Sequence, residues 1–187
     1  MIPTPFVAIY WLWAVWAITW TLAGVWAARP AKRMPSREER PHLIVTITGL
    51  ALLFVFRGGP KLWTPTVDAA WACFGLATLS FAFCWWARLT MGKLWAPLVS
   101  RTAEHRLVET GPFAIVRHPI YTGLCGAVIA VALVQGLVTG LLGAALAIVG
   151  FWMKGRLEEQ FLRRELGEDV YDAYARRIPM LIPFGPR

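Results

Sequence analysis

An uninterrupted apolar run near the amino terminus constrains the fold more than any other feature of this sequence. Residues 6–28 contain no charged side chain over 23 positions. A helix needs about 20 apolar residues to cross the hydrocarbon core of a bilayer. The run has no basic stretch before it and is longer than the apolar part of a typical secretory leader. We therefore interpret it as a retained membrane-spanning helix.

Four further apolar segments follow the first one. The chain is 57% hydrophobic and only 16% charged, whereas charged residues make up about a quarter of ordinary soluble domains. A soluble all-α core is the alternative that this composition disfavours. We predict an all-α integral membrane protein with about five transmembrane helices in a single membrane domain, residues 1–187. The five apolar segments cover residues 6–28, 42–56, 66–87, 119–134 and 137–153.

The last two apolar segments are separated only by Gln135 and Gly136. So short a break predicts a tight hairpin of helices 4 and 5, whose two far ends then lie together. Small residues recur at Gly136, Gly140 and Ala144, and such a face allows close helix packing, most naturally within this hairpin. Beyond the fifth segment, apolar residues at helical spacing alternate with charges, which predicts a cytosolic C-terminal amphipathic helix.

The positive charges are distributed unevenly between the polar segments. Of the 19 lysines and arginines, all but Arg57 and Lys61 lie in residues 29–41, 88–118 and 154–187. With five crossings these three segments share one side, and the positive-inside rule makes that side cytoplasmic. We expect a protein of the inner or plasma membrane with its N-terminus outside and its C-terminus in the cytoplasm. The net charge of +8 then reflects topology, and no nucleic-acid partner is expected.

A pair of ionisable residues stands at the threshold of the fourth apolar segment, in the stretch "GPFAIVRHPIYTGL" (111–124). Proline suits the first turn of a helix, so Pro119 predicts a helix start with His118 in a cap-like position. The free N–H groups and the helix dipole there favour an anion such as a carboxylate. Arg117 adds a fixed positive charge, and Tyr121 could stack or donate a hydrogen bond.

A second polar stretch, residues 154–162, lies at the foot of the fifth segment, and the hairpin should bring it close to His118. Lys154 and Glu158 are four residues apart, a spacing typical of a surface ion pair. Glu158 and Glu159 are adjacent, so only one of them is expected to face His118. A helix N-terminus for a carboxylate and a glutamate for an amine together suit an amino-acid moiety. Aromatic side chains at Phe113 and Tyr121 could face an adenine or a sulfonium cation.

These stretches also carry a family resemblance. "HRLVETGPFAIVRHPIYTG" (105–123), followed by "KGRLEEQFL" (154–162), resembles the isoprenylcysteine carboxyl methyltransferase family and is similar to the related phospholipid methyltransferases. "MGKLWAP" and "YDAYARRIPMLIPF" extend the likeness over about residues 88–184. The resemblance implies a membrane methyltransferase that takes S-adenosyl-L-methionine from the cytosol and a lipophilic substrate from the bilayer and its lipids. Residues 1–87 would then supply three spans, and residues 88–187 the catalytic portion with the cofactor site.

The resemblance also implies roles for individual residues. The catalytic, substrate-facing side of the site would be formed by Lys154, Arg156 and Glu158. Eukaryotic relatives carry arginine at the position of Lys154, so a bidentate grip on a carboxylate is lost here unless Arg156 replaces it. Phe113 stands where tyrosine is common, so a hydroxyl contact is lost. The cofactor pocket would be lined by His105, Leu107, Val108, Phe113, Arg117, His118, Pro119, Ile120, Tyr121, Glu158 and Glu159.

The methyl acceptor stays open at this stage. The likeness is greatest to protein-S-isoprenylcysteine carboxyl O-methyltransferase, but a phospholipid amine, a small thiol or a phenolic lipid would serve equally well. Two other classes compete: a membrane reductase using a nicotinamide cofactor, which lacks support from any phosphate-cradling glycine loop, and a non-catalytic scaffold. No metal site is expected, because Cys73, Cys84 and Cys125 lie in apolar segments without metal-type spacing.

Overall fold

The architecture is helical. The computed structural model describes residues 4–24, 32–33, 36–92, 100–101 and 107–185. Within these ranges one antiparallel pair of two-residue strands, β1 and β2, accompanies the helices, pairing Lys32 with Arg101 and Arg33 with Ser100. The elements are α1 (Pro5–Ala23), β1 (Lys32–Arg33), α2 (Ser36–Phe54), α3 (Val67–Met91), β2 (Ser100–Arg101), a 3-10 helix (Gly111–Ala114), α4 (Pro119–Gln135), α5 (Val138–Leu166) and α6 (Glu168–Ala175).

Three of these helices, α1, α3 and α5, are long and apolar enough to cross a membrane. The prediction of a helical membrane protein is therefore confirmed in its class. α4 is a shorter apolar helix of 17 residues. α2 differs from expectation at its start: the polar stretch 29–41 is not all connection, because α2 begins at Ser36 and carries Glu38 and Glu39 in its first turn. Carboxylates there are favoured by the helix dipole. The count of five crossings stays a prediction.

α2 and α5 pack antiparallel along a face of small residues. A Cβ atom added at Gly49 would lie 2.5 Å from the backbone nitrogen of Ala147, and one added at Gly143 would lie 2.7 Å from the backbone of Leu53. The helices can approach this closely only because glycine has no side chain. The small residues of α5 were expected to pack within the α4–α5 hairpin. Gly140 does face Gln135 of α4, but the following small residues pack against α2.

The end of the helices at the α4–α5 turn is closed by the loop between α2 and α3. Gly136 adopts the left-handed conformation with φ of 62° and ends α4. The backbone N–H groups of Leu62 and Val138 donate to the carbonyls of Gly136 and Pro60, and Trp63 Nε1 donates to Leu133 at 2.9 Å. The polar residues of the stretches 117–121 and 154–159 lie together at the opposite end of the helices.

At that opposite end, the chain after α6 folds back on the start of α4. The backbone N–H groups of Arg117 and His118 donate to the carbonyls of Pro179 and Met180 at 2.9 and 3.1 Å. The Thr122 hydroxyl donates to the Leu181 carbonyl at 2.6 Å. We call residues 176–185 the return segment. Together with α6, it holds the first turn of α4 against the foot of α5.

Candidate functional site

A buried imidazole forms the centre of the site. His118 lies at the N-cap of α4 and inserts between two glutamates of α5. Its Nδ1 lies 3.4 Å from Glu158 Oε2, and its Nε2 lies 3.3 Å from Glu159 Oε1. The expectation that only one glutamate faces His118 is wrong. Adjacent carboxylates on a helix do diverge, but the two ring nitrogens of histidine also point apart, so a ring placed between them reaches both.

The two carboxylates determine the protonation of His118. Burial disfavours the charged ring, but the hydrogen bonds and charges of Glu158 and Glu159 outweigh burial and raise the pKa of His118. In the imidazolium form both ring nitrogens are donors, which matches an acceptor on each side. The raised pKa and the two carboxylate neighbours therefore favour the imidazolium form of His118.

Arg117 connects this centre to α6 and the return segment. Its Nε donates to Glu159 Oε1 at 2.8 Å, and its Nη1 donates to the carbonyls of Ala175 and Ile178 at 3.0 and 2.6 Å. The guanidinium is buried. Arg117 was predicted to bind the cofactor, which stays a prediction. Its observed contacts fix Glu159 and the return segment.

Tyr121 occupies the Glu158 side of the centre. Its hydroxyl donates to Glu158 Oε1 at 2.5 Å. Its ring stacks on His118, with centroids 5.6 Å apart, and lies parallel to Phe151. Lys154 Nζ lies 5.6 Å from the centroid of the Tyr121 ring, within the range of a cation–π contact. Lys154 and Glu158, which lie four residues apart, thus belong to a half-buried cluster with Tyr121.

A cavity of about 540 Å³ opens on the Glu159 side. Glu159 is 0% exposed, and its Oε2 has no hydrogen-bond partner among the described residues. Two arginines at the cavity, Arg117 and Arg163, already bind carboxylates, Arg163 contacting Asp172 at 2.7 Å. The walls are formed by Arg117, Arg156, Glu159, Arg163, Asp172, Ala175, Arg176 and Met180.

Sequence reasoning named Arg117, Arg156 and Glu159 among these walls and missed those supplied by the last turns of α5, by α6 and by the return segment. Their signal was present in the quoted stretch "YDAYARRIPMLIPF", which contributes Asp172, Arg176 and Met180. That stretch was matched to the family but was given no role at the site.

Other predicted cofactor residues lie around the centre and not in the cavity wall. Phe113 is buried in the 3-10 helix, and its carbonyl accepts a hydrogen bond from the Tyr174 hydroxyl at 2.7 Å. Burial raises the pKa of Tyr174, which keeps that hydroxyl protonated as a donor. Leu107 and Val108 are half-buried, Pro119 is buried, and Ile120 is half-buried. His105 lies outside the residues that the structure describes.

Two buried polar residues of α2 were missed altogether. Glu39 and His42 are 6% and 4% exposed. Their neighbours include Lys154 and Glu158, whose charges act on the His42 ring. Glu39 lies in the stretch 29–41, which was interpreted as a polar connection because charge dominates it, and His42 was placed at the start of the second apolar segment without a role. The helical spacing of Glu39, His42, Thr46 and Gly49 was the signal that could have placed them on one face.

The described residues contain no group of three His, Cys, Asp or Glu side chains that could hold a metal ion. Cys73, Cys84 and Cys125 are free thiols. The site is therefore built from ion pairs, hydrogen bonds and stacked rings.

Long apolar helices and a buried, charged site at one of their ends define an integral membrane protein with a polar centre. Residues 73–164 match the family described as the isoprenylcysteine carboxyl methyltransferase (ICMT) family, which confirms the resemblance over this part of the chain. The match supports methyl transfer as the class of activity.

Two curated relatives carry names from metal resistance. The chain is 33% identical over 145 residues to the cobalt-zinc-cadmium resistance protein CzcN of Cupriavidus metallidurans, covering 76% of this chain and 61% of that protein. It is 32% identical over 147 residues to the nickel-cobalt-cadmium resistance protein NccN of Alcaligenes xylosoxydans xylosoxydans, covering 76% of this chain and 62% of that protein. The chain thus spans about three fifths of the length of these relatives.

Proposed function

We propose that the protein is an S-adenosyl-L-methionine-dependent methyltransferase that acts on a lipophilic acceptor at the cytoplasmic membrane face. The observation that carries this proposal is the His118 ring clamped between Glu158 and Glu159, next to an open cavity and within the region that matches the methyltransferase family. The nearest activity is that of protein-S-isoprenylcysteine carboxyl O-methyltransferase. A phospholipid amine, a small thiol or a phenolic lipid is the alternative acceptor.

The cavity residues fit the amino-acid end of S-adenosyl-L-methionine. Glu159 Oε2 is a buried acceptor for which the described residues supply no partner, and an ammonium group would satisfy it. Arg156 and Arg176 are exposed at the cavity and supply positive charge for a carboxylate. A cavity of about 540 Å³ is also within the range of small-molecule sites.

The chain's own residues would act by positioning. When bound, S-adenosyl-L-methionine supplies an electrophilic methyl group. His118 holds both glutamates in fixed directions, Arg117 keeps Glu159 in place, and Tyr121 binds Glu158. Fixed groups that align the reactants and exclude water account for much of the rate in such a displacement. A carboxylate or thiolate acceptor needs no base, whereas a phenol or amine must lose a proton.

The proposed topology follows the charge distribution. Five crossings would place the N-terminus outside and the C-terminus in the cytoplasm of an inner or plasma membrane. The cavity between α5, α6 and the return segment would then open to the cytosol. An acceptor with an apolar tail would arrive sideways from the bilayer, while the cofactor would arrive from the aqueous side.

Ligand-induced thermal stabilisation of the purified protein tests this function. A ligand that binds only the folded state at 100 times its Kd stabilises it by about 2.7 kcal/mol. S-adenosyl-L-methionine should raise the melting temperature of the wild type, whereas reduced nicotinamide dinucleotides should not. The rise should be lost in Glu159→Ala and kept in Arg177→Ala, because Arg177 lies outside the cavity wall and makes exposed contacts with Glu109 and the Ala173 carbonyl. A wild type that S-adenosyl-L-methionine leaves unchanged would refute the assignment.

A further inference from the structure

A stripe on α2 continues the antiparallel contact with α5 as far as the candidate site. Leu53 packs against Gly143, Gly49 against Ala147, and Thr46 against Gly150. These pairs fix the register of the two helices. One helical turn further along both helices, the same register places His42 beside Lys154. It places Glu39 beside the turn that contains Glu158.

His42 has an unmet hydrogen-bonding group at this point. Its side chain is 4% exposed, and its Nε2 is buried without a hydrogen-bond partner in the described part of the chain. Such a group destabilises the fold if it stays unsatisfied, so its presence calls for an explanation. Packing alone would be served as well by an apolar side chain.

The surroundings of His42 are those of the Glu158 side of the site. The charges of Lys154, Glu39 and Glu158 act on its ring, and Glu39 also acts on Tyr121. This side is distinct from the cavity, which is lined by Glu159. His118 stands between the two sides. The cavity offers a place for a cofactor, and the Glu158 side lies next to the aromatic side chains of Tyr121 and Phe151.

We propose that His42 contacts the head group of the methyl acceptor and takes up its proton, and that the acceptor is therefore a protic head group, such as a phenol, on an apolar tail. This inference rests on the proposed function and names the substrate class of the same site. In the tautomer with Nδ1 protonated, Nε2 is a hydrogen-bond acceptor. His42 lies at the start of the apolar part of α2, where a lipid tail could follow the helices while the head reaches the ring.

The proton balance of the step is simple. The acceptor gives its proton to His42 Nε2, and the electron pair of its oxygen forms the bond to the methyl carbon. The bond from that carbon to sulfur breaks with its electron pair left on sulfur. The imidazolium then returns its proton to water. A carboxylate acceptor has no proton to lose and would not need His42.

Binding and turnover of para-dodecylphenol by the full-length protein in detergent test the inference. The variants are His42→Ala and a control, Arg40→Ala, which changes an exposed residue of the same helix. The phenol should stabilise the wild type and Arg40→Ala thermally and should not stabilise His42→Ala. Turnover of the phenol should fall on the order of 10²-fold in His42→Ala, the usual contribution of a general base, and added imidazole should restore part of it.

Several outcomes would overturn the inference while leaving the proposed function intact. One is a wild type that S-adenosyl-L-methionine stabilises but that neither binds nor methylates the phenol. Another is a His42→Ala protein that binds and methylates it like the wild type. A third is exclusive use of N-acetyl-S-farnesylcysteine, a carboxylate acceptor. If S-adenosyl-L-methionine does not bind at all, the proposed function fails, and binding of the phenol still decides the role of His42.

A second variant covers the case in which His42→Ala does not fold. His42→Gln keeps hydrogen-bonding capacity and approximate size but cannot take up a proton. It should retain stabilisation by the phenol and lose turnover. Equal turnover in His42→Gln and the wild type would exclude proton uptake by His42.

Discussion

The raised pKa of His118 favours its protonated form, because the ring contacts two carboxylates. Substitution of His118 should therefore lower the stability of the fold. Both glutamates would lose a donor, and Arg117 would be the one remaining donor to the fully buried Glu159 within the described parts of the chain. Removing one partner from a buried ionic network typically costs about 3–5 kcal/mol. We expect His118→Ala to lower the free energy of unfolding by that order in a denaturant titration.

The matched control is Arg177→Ala, which breaks the exposed ion pair with Glu109. Exposed pairs contribute about 0–1 kcal/mol, so this variant should unfold nearly as the wild type does. Equal stability of His118→Ala and Arg177→Ala would show that the central network contributes nothing to stability.

The raised pKa of His118 also predicts the direction of a pH effect. The folded-state pKa lies above the usual value of 6.5 because Glu158 and Glu159 overcome the effect of burial. A group of this kind stabilises the fold fully below its unfolded pKa and loses that contribution as the pH rises through the folded pKa. The melting temperature of the wild type should therefore fall as the pH is raised above about 6.5.

The variant His118→Gln isolates this contribution, since it has no titrating ring. Its melting temperature should change less over the same pH range. A wild-type melting temperature that rises with pH over this range relative to that of His118→Gln would mean that His118 is buried in its neutral form.

Between elements, the contact of α2 with α5 depends on the absence of side chains at its glycines. Gly49→Ala would place a methyl group 2.5 Å from the backbone of Ala147, where only a shift of the helices can make room. Overpacking of this kind typically costs about 1–3 kcal/mol. The same shift would displace His42 from Lys154. We expect a lower melting temperature and a loss of acceptor turnover.

Gly75→Ala is the matched control in α3, because a Cβ atom there meets nothing within 4 Å. Alanine is the better helix former by about 1 kcal/mol, so this variant should be neutral or slightly more stable than the wild type. Gly49→Ala with the stability of Gly75→Ala would mean that α2 and α5 pack less closely than described.

The lengths of the apolar runs were sufficient to predict helices close to the observed α1, α3 and α4, because a membrane span imposes both length and polarity. The starting residue of α4 was also predictable, since proline is favoured in the first turn of a helix. The contact of His118 with both glutamates could not be predicted from the sequence, because it depends on the orientation of the imidazole ring. Glu39 and His42 were not predicted to lie near the site for another reason. Their position beside Lys154 depends on the register in which α2 packs on α5.

For the whole molecule, the charge distribution predicts opposite exposure of its two polar ends. In a background with Cys73, Cys84 and Cys125 replaced, Lys61→Cys should react with an impermeant maleimide added to intact cells. Arg176→Cys should react only after the membrane is permeabilised, because most of the positive charge lies on its side. Both positions are exposed in the fold, so accessibility within the protein does not bias the comparison.

Labelling of Arg176→Cys in intact cells would invert the proposed orientation. Labelling of both positions in intact cells would place both polar ends on one side and would refute the three crossings expected between Lys61 and Arg176.

The hydrogen bonds of the return segment set an order of events during biosynthesis. Arg117 leaves the ribosome 61 residues before Ile178, whose carbonyl it binds, and the whole α4–α5 pair is made in between. Synthesis of both helices therefore precedes completion of the polar centre. Until residues 175–181 arrive, the guanidinium and the first turn of α4 have only water as partners at those positions. A chain stalled before this point would contain both helices but would lack the completed polar centre.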